Sequence, residues 1–480
     1  MVHLTASVVV AIYVVMLFVA TWWAQRLPGS GGGLVGYLLA GRQLPVSVTA
    51  AMLAGLAVGG ASTVGVAEQA YQSGFSAGWY NAAWAAGAFV MALVFARRYR
   101  RLETTTVTEI LERHYGASAR VLGVVGQIGL QIVVTSLQYV AGGAVLSSLM
   151  PGVFSFHAGM ITTAAVFIAI TLVGGFWAAG LTNVINVIVI YVGIGLGVVM
   201  TLGRVGGLGA LRAALPARHP GFDLLGVGAG QIAAWFLVMI TTVVSMQSVV
   251  QISFAARDER TARAGFLWGA LLILPVGFLS ALIGMAAVVL HPGIVPAEAL
   301  PKTVLDLNPL IAGIVLSGLW AADVSTASAL LIGSATLVSG DLIKRFLAPE
   351  LGPRGERLAC RVVVAAVGAL TFLLALTVSG ILKMLLAGLT LSTAYALIVV
   401  MTFFCPSLCR RSSATWTLAA TMISLAAWFA FPVVRVFPHP IYLTWFVSLV
   451  VFAVVAFTDR RLITDARPPA ATCVPRCETV

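Results

Sequence analysis

Apolar residues in this chain come in long runs separated by short polar connections. They show neither the alternation of a half-buried strand nor the narrow stripe of a surface helix. Thirteen runs can be marked, at about 5–25, 46–71, 77–96, 119–149, 158–175, 180–203, 229–253, 264–290, 309–340, 358–379, 382–404, 413–433 and 440–458. A helix needs about 20 residues to cross the hydrocarbon core of a bilayer, so each run predicts one span. The runs are apolar almost all the way round, and periodicity does not say which face looks inward. The longest connections, at 97–118, 204–228 and 341–357, are too short to hold a soluble domain. The first run, Thr5–Trp23, has no basic segment before it and is too long for the apolar part of a leader peptide, so it reads as a span.

Composition agrees. The 480 residues are 60% hydrophobic and 9% charged, with mean hydropathy +1.03, where soluble domains carry about 25% charged residues. That excludes a soluble globular chain, a coiled coil and a disordered chain, and five Cys are too few for a disulfide scaffold. An all-α polytopic membrane protein remains. The net charge of +12 sits in short clusters between the runs, with no basic domain or aromatic platform, so no nucleic-acid partner is expected. Against thirteen spans, 22 of the 28 Lys and Arg residues fall on one side, in clusters such as Arg97–Arg101, Arg257–Arg263 and Lys344–Arg361. The other six are Arg204, Arg212, Arg218, Lys302, Lys383 and Arg435. Basic residues gather on the cytoplasmic side, which predicts an integral plasma (cytoplasmic) membrane protein with its N-terminus outside and its C-terminus inside.

The second run carries chemistry. Between Leu53 and Gly65 lie four Gly (Gly55, Gly59, Gly60, Gly65) with Ser62 and Thr63 among them. Such residues weaken a helix, and a break inside a bilayer survives only where it lines a cavity or is buried in protein. Broken helices near the midplane are how secondary transporters hold solute and ions. Close helix packing through Gly55 and Gly59 explains the same residues equally well.

Six segments, in order, resemble the sodium:solute symporter family, which includes sodium/proline and sodium/glucose symporters. They are Gly36–Pro45 (GYLLAGRQLP), Ala70–Trp79, Thr106–Gly116, Gly174–Asn186, Gln247–Gln251 followed by Ala255–Asp258, and Val324–Thr326 with Gly340–Lys344. The resemblance implies a LeuT-type core of two inverted five-helix repeats, 46–204 and 229–404, joined by an outer linker at 205–228. Residues 1–45 and 405–458 would be peripheral, and 459–480 a polar cytoplasmic tail without a fold of its own. The second and seventh spans would be the broken pair, although the seventh has no central Gly or Pro. The substrate does not carry over: positions that are aromatic in proline and sugar relatives fall on Ile240, Val243 and Val244 here, and Ile252 stands where many relatives have Arg.

A sodium ion is a hard cation that takes about five or six oxygens. Ser325 and Thr326 supply adjacent hydroxyls, and Ala322 lies one turn earlier. The family's sodium site matches Ala322, Ser325 and Thr326, with carbonyls of the broken span at Gly55 and Val58. The plain alternative is that both hydroxyls bond back to their own helix. Asp323 is the one carboxylate deep in a predicted run, and a charge there costs at least about 2.5–3.5 kcal/mol. It could support the ion site, carry a proton, touch a cationic solute or serve as a protonated structural acid. Candidate solute contacts are Ser62, Thr63, Gln131, Gln138, Tyr139, Thr241, Thr242, Ser245, Gln247, Thr390, Ser392 and Tyr395. Cys405 and Cys409, with Cys473 and Cys477, have spacing open to zinc or redox chemistry, but no His stands nearby and they read as unrelated small residues. The expectation is a symporter that uses Na⁺, needs no cofactor and moves a small polar organic solute by alternating access. A proton-coupled carrier on Asp323 and a non-transporting solute sensor remain open, and no motif points to an enzyme.

Overall fold

The computed structural model describes residues 2–27, 33–377, 385 and 388–463. The expectations at the junction of the tenth and eleventh runs, at Cys473 and Cys477, and over most of the tail lie outside these residues. Backbone N–H and C=O groups in hydrocarbon must be satisfied within the chain, and the described residues are accordingly almost all helix. In chain order the main helices are α1 (Val2–Ala24), α2 (Val46–Ala57), α3 (Val66–Ser73), α4 (Trp79–Val90) and α5 (Val107–Tyr115). Then come α6 (Ala117–Leu149), α7 (Phe156–Val205), α8 (Ala229–Ser245), α9 (Gln247–Ala255) and α10 (Glu259–Leu290). The last are α11 (Pro309–Thr336), α12 (Pro353–Ala375), α13 (Ser392–Phe404), α14 (Ser413–Ala430) and α15 (Pro440–Thr458).

Among the described residues nine helices are long and apolar enough to cross a membrane, or ten if the bent pair α8 and α9 is one span. Shorter apolar helices, Val8–Ala24, Val46–Ala57 and Ser392–Phe404, fall in three further runs. Each of the thirteen runs thus carries helix, though not every one reaches spanning length in the described residues. The fifth and sixth runs are continuous through α7, which turns at Gly175 with φ 58°. Only glycine takes that conformation without strain, and a Cβ there would also meet the Tyr37 carbonyl at 2.6 Å.

Burial sorts the helices. Every described residue of α11 from Val315 to Thr336 is buried, and α11 packs on α7, α6, α1 and α2 at the centre of the molecule. The outer helices α12 and α15 expose large apolar side chains such as Leu373 (62%) and Phe457 (88%). Exposed hydrocarbon on this scale suits lipid, not water. On one side of the bundle the segments leading into α2 and out of α9 are tied together, since Leu44 N–H donates to Ala255 O (3.1 Å) and Arg257 N–H to Leu44 O (3.1 Å).

Candidate ion and solute site

A helix that stops leaves its last carbonyls without partners. In α2 the last ladder bond runs from Val58 N–H to Ala54 O (2.8 Å), and Val58 then leaves helical geometry (φ −96°, ψ 78°). The chain resumes as a wide turn at Ala61–Gly65 before α3. The freed carbonyls find side chains instead. Ser325 Oγ and Thr326 Oγ1, on α11, both donate to Gly55 O, at 2.8 and 2.9 Å. Thr326 Oγ1 also reaches Leu56 O (3.3 Å), and Ser325 Oγ reaches Ala322 O (2.8 Å). Ser62 Oγ takes Ala57 O (2.5 Å), and Thr63 Oγ1 takes Gly59 O (3.2 Å). Gly55, Ala322, Ser325 and Thr326 therefore meet at one point, with Val58 at the lip of the break. The two α11 hydroxyls bond across to the broken helix, and Ser325 also bonds back to its own helix at Ala322 O. All are buried. The cluster is rich in carbonyl and hydroxyl oxygen, the donor set that suits a desolvated hard cation.

The seventh run is broken as well. It bends by 47° between α8 and α9. The hinge residue Met246 is extended (φ −71°, ψ 130°) and holds no Gly or Pro. What holds the bend is Gln127 of α6, which sequence reasoning missed. Its Nε2 donates to Ser245 O (2.9 Å) and its Oε1 accepts from Gln247 N–H (3.0 Å), so one side-chain amide replaces the lost backbone partners. A buried Gln one turn before Gln131 on an apolar helix was the available signal. On α8, Thr241 Oγ1 and Thr242 Oγ1 meet Ser392 Oγ of α13 at 3.2 and 3.1 Å, and Ser245 Oγ donates to Thr241 O (2.7 Å) and Ser392 O (3.2 Å).

The remaining candidates separate. Gln138 faces the α2 break, with Oε1 accepting from Gly60 N–H at 3.3 Å and Nε2 held by Val134 O. Gln131 is buried beside Gly333 and Ser248, with Oε1 unpaired. Gln247 serves the loop before α5, accepting from Val107 N–H (2.9 Å) and donating to Thr105 O (3.2 Å). Tyr139 donates to Gly368 O (2.7 Å) and packs on Phe167, and Tyr395 donates to Gly123 O (2.6 Å). The Tyr395 hydroxyl also lies against Gly126, next to the Gln127 that holds the second break. Thr390 is buried. Asn183 of α7 was also missed: it is buried, its amide has no partner, and a Cβ on Gly55 would meet its Oδ1 at 2.5 Å.

A second polar cluster lies at the other end of α11. Buried Asp341 accepts from Thr106 Oγ1 (2.9 Å), Thr108 and Arg120, and Arg120 also pairs with Glu112. Glu112 takes Arg345 at 3.0 Å. Burial raises the Glu112 pKa, but hydrogen bonds from Arg120 and Arg345 outweigh it and hold the carboxyl below its usual value. Among the described residues no group of three His, Cys, Asp or Glu could hold a metal; Cys409 Sγ simply turns back to Cys405 O (3.7 Å).

Two broken helices against a buried central helix, with oxygens gathered at the first break, define a secondary transporter of the LeuT fold. A solved Na⁺-coupled sialic acid symporter superposes with TM-score 0.78 at 15% identity, over 96% of this chain and 98% of that one. The nucleobase-cation-symport-1 transporter Mhp1 superposes with TM-score 0.61 at 16% identity, over 87% and 92%. In sequence, the high-affinity proline transporter PutP of Bacillus subtilis (strain 168) is 25% identical over 71% of this chain and 75% of its own length. The sodium/proline symporter of Staphylococcus aureus (strain JH9) is 22% identical over 70% and 68%. The profile of the Sodium:solute symporter family matches residues 37–420, and the chain belongs to that family. It is therefore an integral plasma-membrane protein and a Na⁺-coupled secondary active symporter of a small molecule, not an enzyme. Of the ions left open above, sodium is the coupling ion.

Proposed function

We propose that Gly55, Val58, Ala322, Ser325 and Thr326 form the sodium site, and that a small polar organic solute binds beside it at the α2 break. The observation that carries this is the meeting of two α11 hydroxyls on the Gly55 carbonyl that the break sets free. A cation placed there replaces hydroxyl-to-carbonyl bonds with ion contacts and ties α2 to α11. Ser62, Thr63 and Gln138 border the solute space, with Gln131, Thr241 and Ser245 deeper along the path. Residues 46–204 and 229–404 act as the two inverted repeats, the N-terminus lies outside and the C-terminus inside. Relatives in sequence include proline transporters, which makes L-proline the first solute to test.

The experiment is uptake of labelled L-proline, and of competitors for it, into proteoliposomes under an inward Na⁺ gradient. Concentrative uptake that collapses in K⁺ supports the reading. Uptake that ignores Na⁺ and follows the pH gradient overturns it.

A further inference from the structure

Most side-chain oxygens at the α2 break are used; the exceptions are Asn183, beside Gly55, and Asp323. Ser325, Thr326 and Ser328 all donate to carbonyls, Gln138 is held at both ends of its amide, and Ser62 and Thr63 cap the broken turn. Asp323 is fully buried, and neither of its carboxylate oxygens has a partner of ordinary hydrogen-bond geometry. Its Oδ1 lies against the Gly60 backbone, so close that a Cβ on Gly60 would meet it at 2.7 Å. The Gly60 N–H is already used by Gln138 Oε1. A buried carboxylate left in this way is costly unless it takes up a proton or a cation pairs with it, and pairing with a cation leaves it charged and able to hold a ligand.

The sodium cluster does not supply that cation by direct contact. Its oxygens surround Gly55 and Leu56, whereas Asp323 faces Gly60, further along the same broken strand of chain. Asp323 precedes Thr326 by three residues, which displaces it about 4.5 Å along the α11 axis. It belongs to the neighbouring space. Its surroundings are closely packed and rich in acceptors: a Cβ on Gly59 would meet Gln138 Oε1 and Thr326 Oγ1, each at 2.7 Å, and one on Gly60 would also meet Ala141. The Thr326 proton is directed at Gly55 O, so its lone pairs are what remain on this side. Acceptor-rich surroundings with a carboxylate among them favour a donor with positive charge when the helices part to admit a solute. A quaternary ammonium, which has no N–H and is recognised by aromatic faces, does not suit them.

We infer that Asp323 is the solute anchor of this transporter and that the solute carries an N–H ammonium group, as in an amino acid or a small amine. Asp323 then balances one of the two positive charges, Na⁺ and ammonium, that would otherwise repel in a desolvated site. This deepens the sodium-symport reading and rests on it for the location of the solute space.

The test is thermal unfolding of the purified full-length protein in NaCl and in KCl, with and without solute. The probes are L-proline, L-alanine and ethanolamine, each against its nitrogen-free counterpart: tetrahydrofuran-2-carboxylate, L-lactate and ethylene glycol. Ligands that bind the folded state raise the unfolding temperature by mass action. The wild type is expected to respond to at least one ammonium probe and not to its counterpart. Asp323→Asn should weaken that response at least tenfold in concentration while keeping the Na⁺ response, and Asp323→Glu should recover part of it. Equal response to an ammonium probe and its counterpart, an Asp323→Asn affinity within threefold of wild type, or no response to any ammonium probe overturns the proposal. The wild-type discrimination stands even if the variants fail to fold. The solute-free comparison of NaCl with KCl reads the sodium site alone, so failure there strikes the sodium reading and not the ammonium one.

Discussion

Replacing Thr326 by Ala removes one of two hydroxyls that share the Gly55 carbonyl. In the ion-free protein the loss is small, because Ser325 still satisfies Gly55 O and only the longer bond to Leu56 O disappears with nothing in its place. One neutral hydrogen bond contributes about 0.5–1.5 kcal/mol, so the unfolding temperature in KCl should fall by only a few degrees. The ion-bound protein loses an oxygen on a full charge, and such interactions are worth about 1.5–3 kcal/mol. At 1.4 kcal/mol per decade this is about a 10- to 150-fold weaker Na⁺ affinity. Ser325→Ala should behave alike. The double variant should cost more stability than the sum of the two, because Gly55 O is then left without either donor and the sites share one partner. The assay is the Na⁺ concentration dependence of the unfolding temperature, repeated for solute uptake in proteoliposomes. Solute should also lose its ability to tighten Na⁺ binding, since coupling is reciprocal. Na⁺ affinities within threefold of wild type in both single variants would refute the reasoning.

Gly60→Ala should abolish uptake while the protein still reaches the membrane, because its Cβ would collide with Ala141 and meet Asp323 Oδ1 at 2.7 Å; overpacking of this kind costs about 1–3 kcal/mol, and uptake at the wild-type rate would show that the break is not where solute binds. Gln127→Ala should lower stability by about 1–3 kcal/mol, the cost of leaving Ser245 O and Gln247 N–H buried and unpaired, as read in denaturation with binding measured alongside. Arg120→Ala should destabilise by about 3–5 kcal/mol by stranding Asp341, and pairing Arg120→Met with Asp341→Leu should recover most of that loss. Because Glu112 is held below its usual pKa, its share of this clasp is complete above the ordinary Glu value and is lost as pH falls through the lowered one, which a stability profile between pH 6 and 3 (about the range in which carboxylates titrate) checks. Single cysteines at positions 258 and 350 should be labelled only from inside and one at 207 from outside; labelling of 350 from outside would break the proposed orientation.

Hydropathy alone was enough to place helix in every run, because a chain in lipid has few ways to satisfy its backbone and an unbroken apolar stretch of this length already selects one of them. The break in α2 was legible for a similar local reason, since Gly59 and Gly60 stand next to each other in the middle of a run. The oxygen cluster proposed to hold sodium could be sought through the neighbouring Ser325 and Thr326 once the motifs around them were in register. The break in the seventh run was expected only from the family resemblance, and no residue marked its place at Met246. Nothing in Ser245-Met-Gln247 weakens a helix, and what holds the bend is a side chain 118 positions earlier, Gln127, whose amide reaches Ser245 O only after α6 and α8 have packed. The same limit applies to Tyr139 and Tyr395, candidate solute contacts in sequence, whose bonds to the Gly368 and Gly123 carbonyls only packing decides. Asp323 joins the two cases. Its depth could be read from the run around it, but the fact that it is buried against the Gly60 backbone depends on which side of α11 meets the broken helix. A helix that is apolar all round carries no record of that side, so only the tertiary packing decides it.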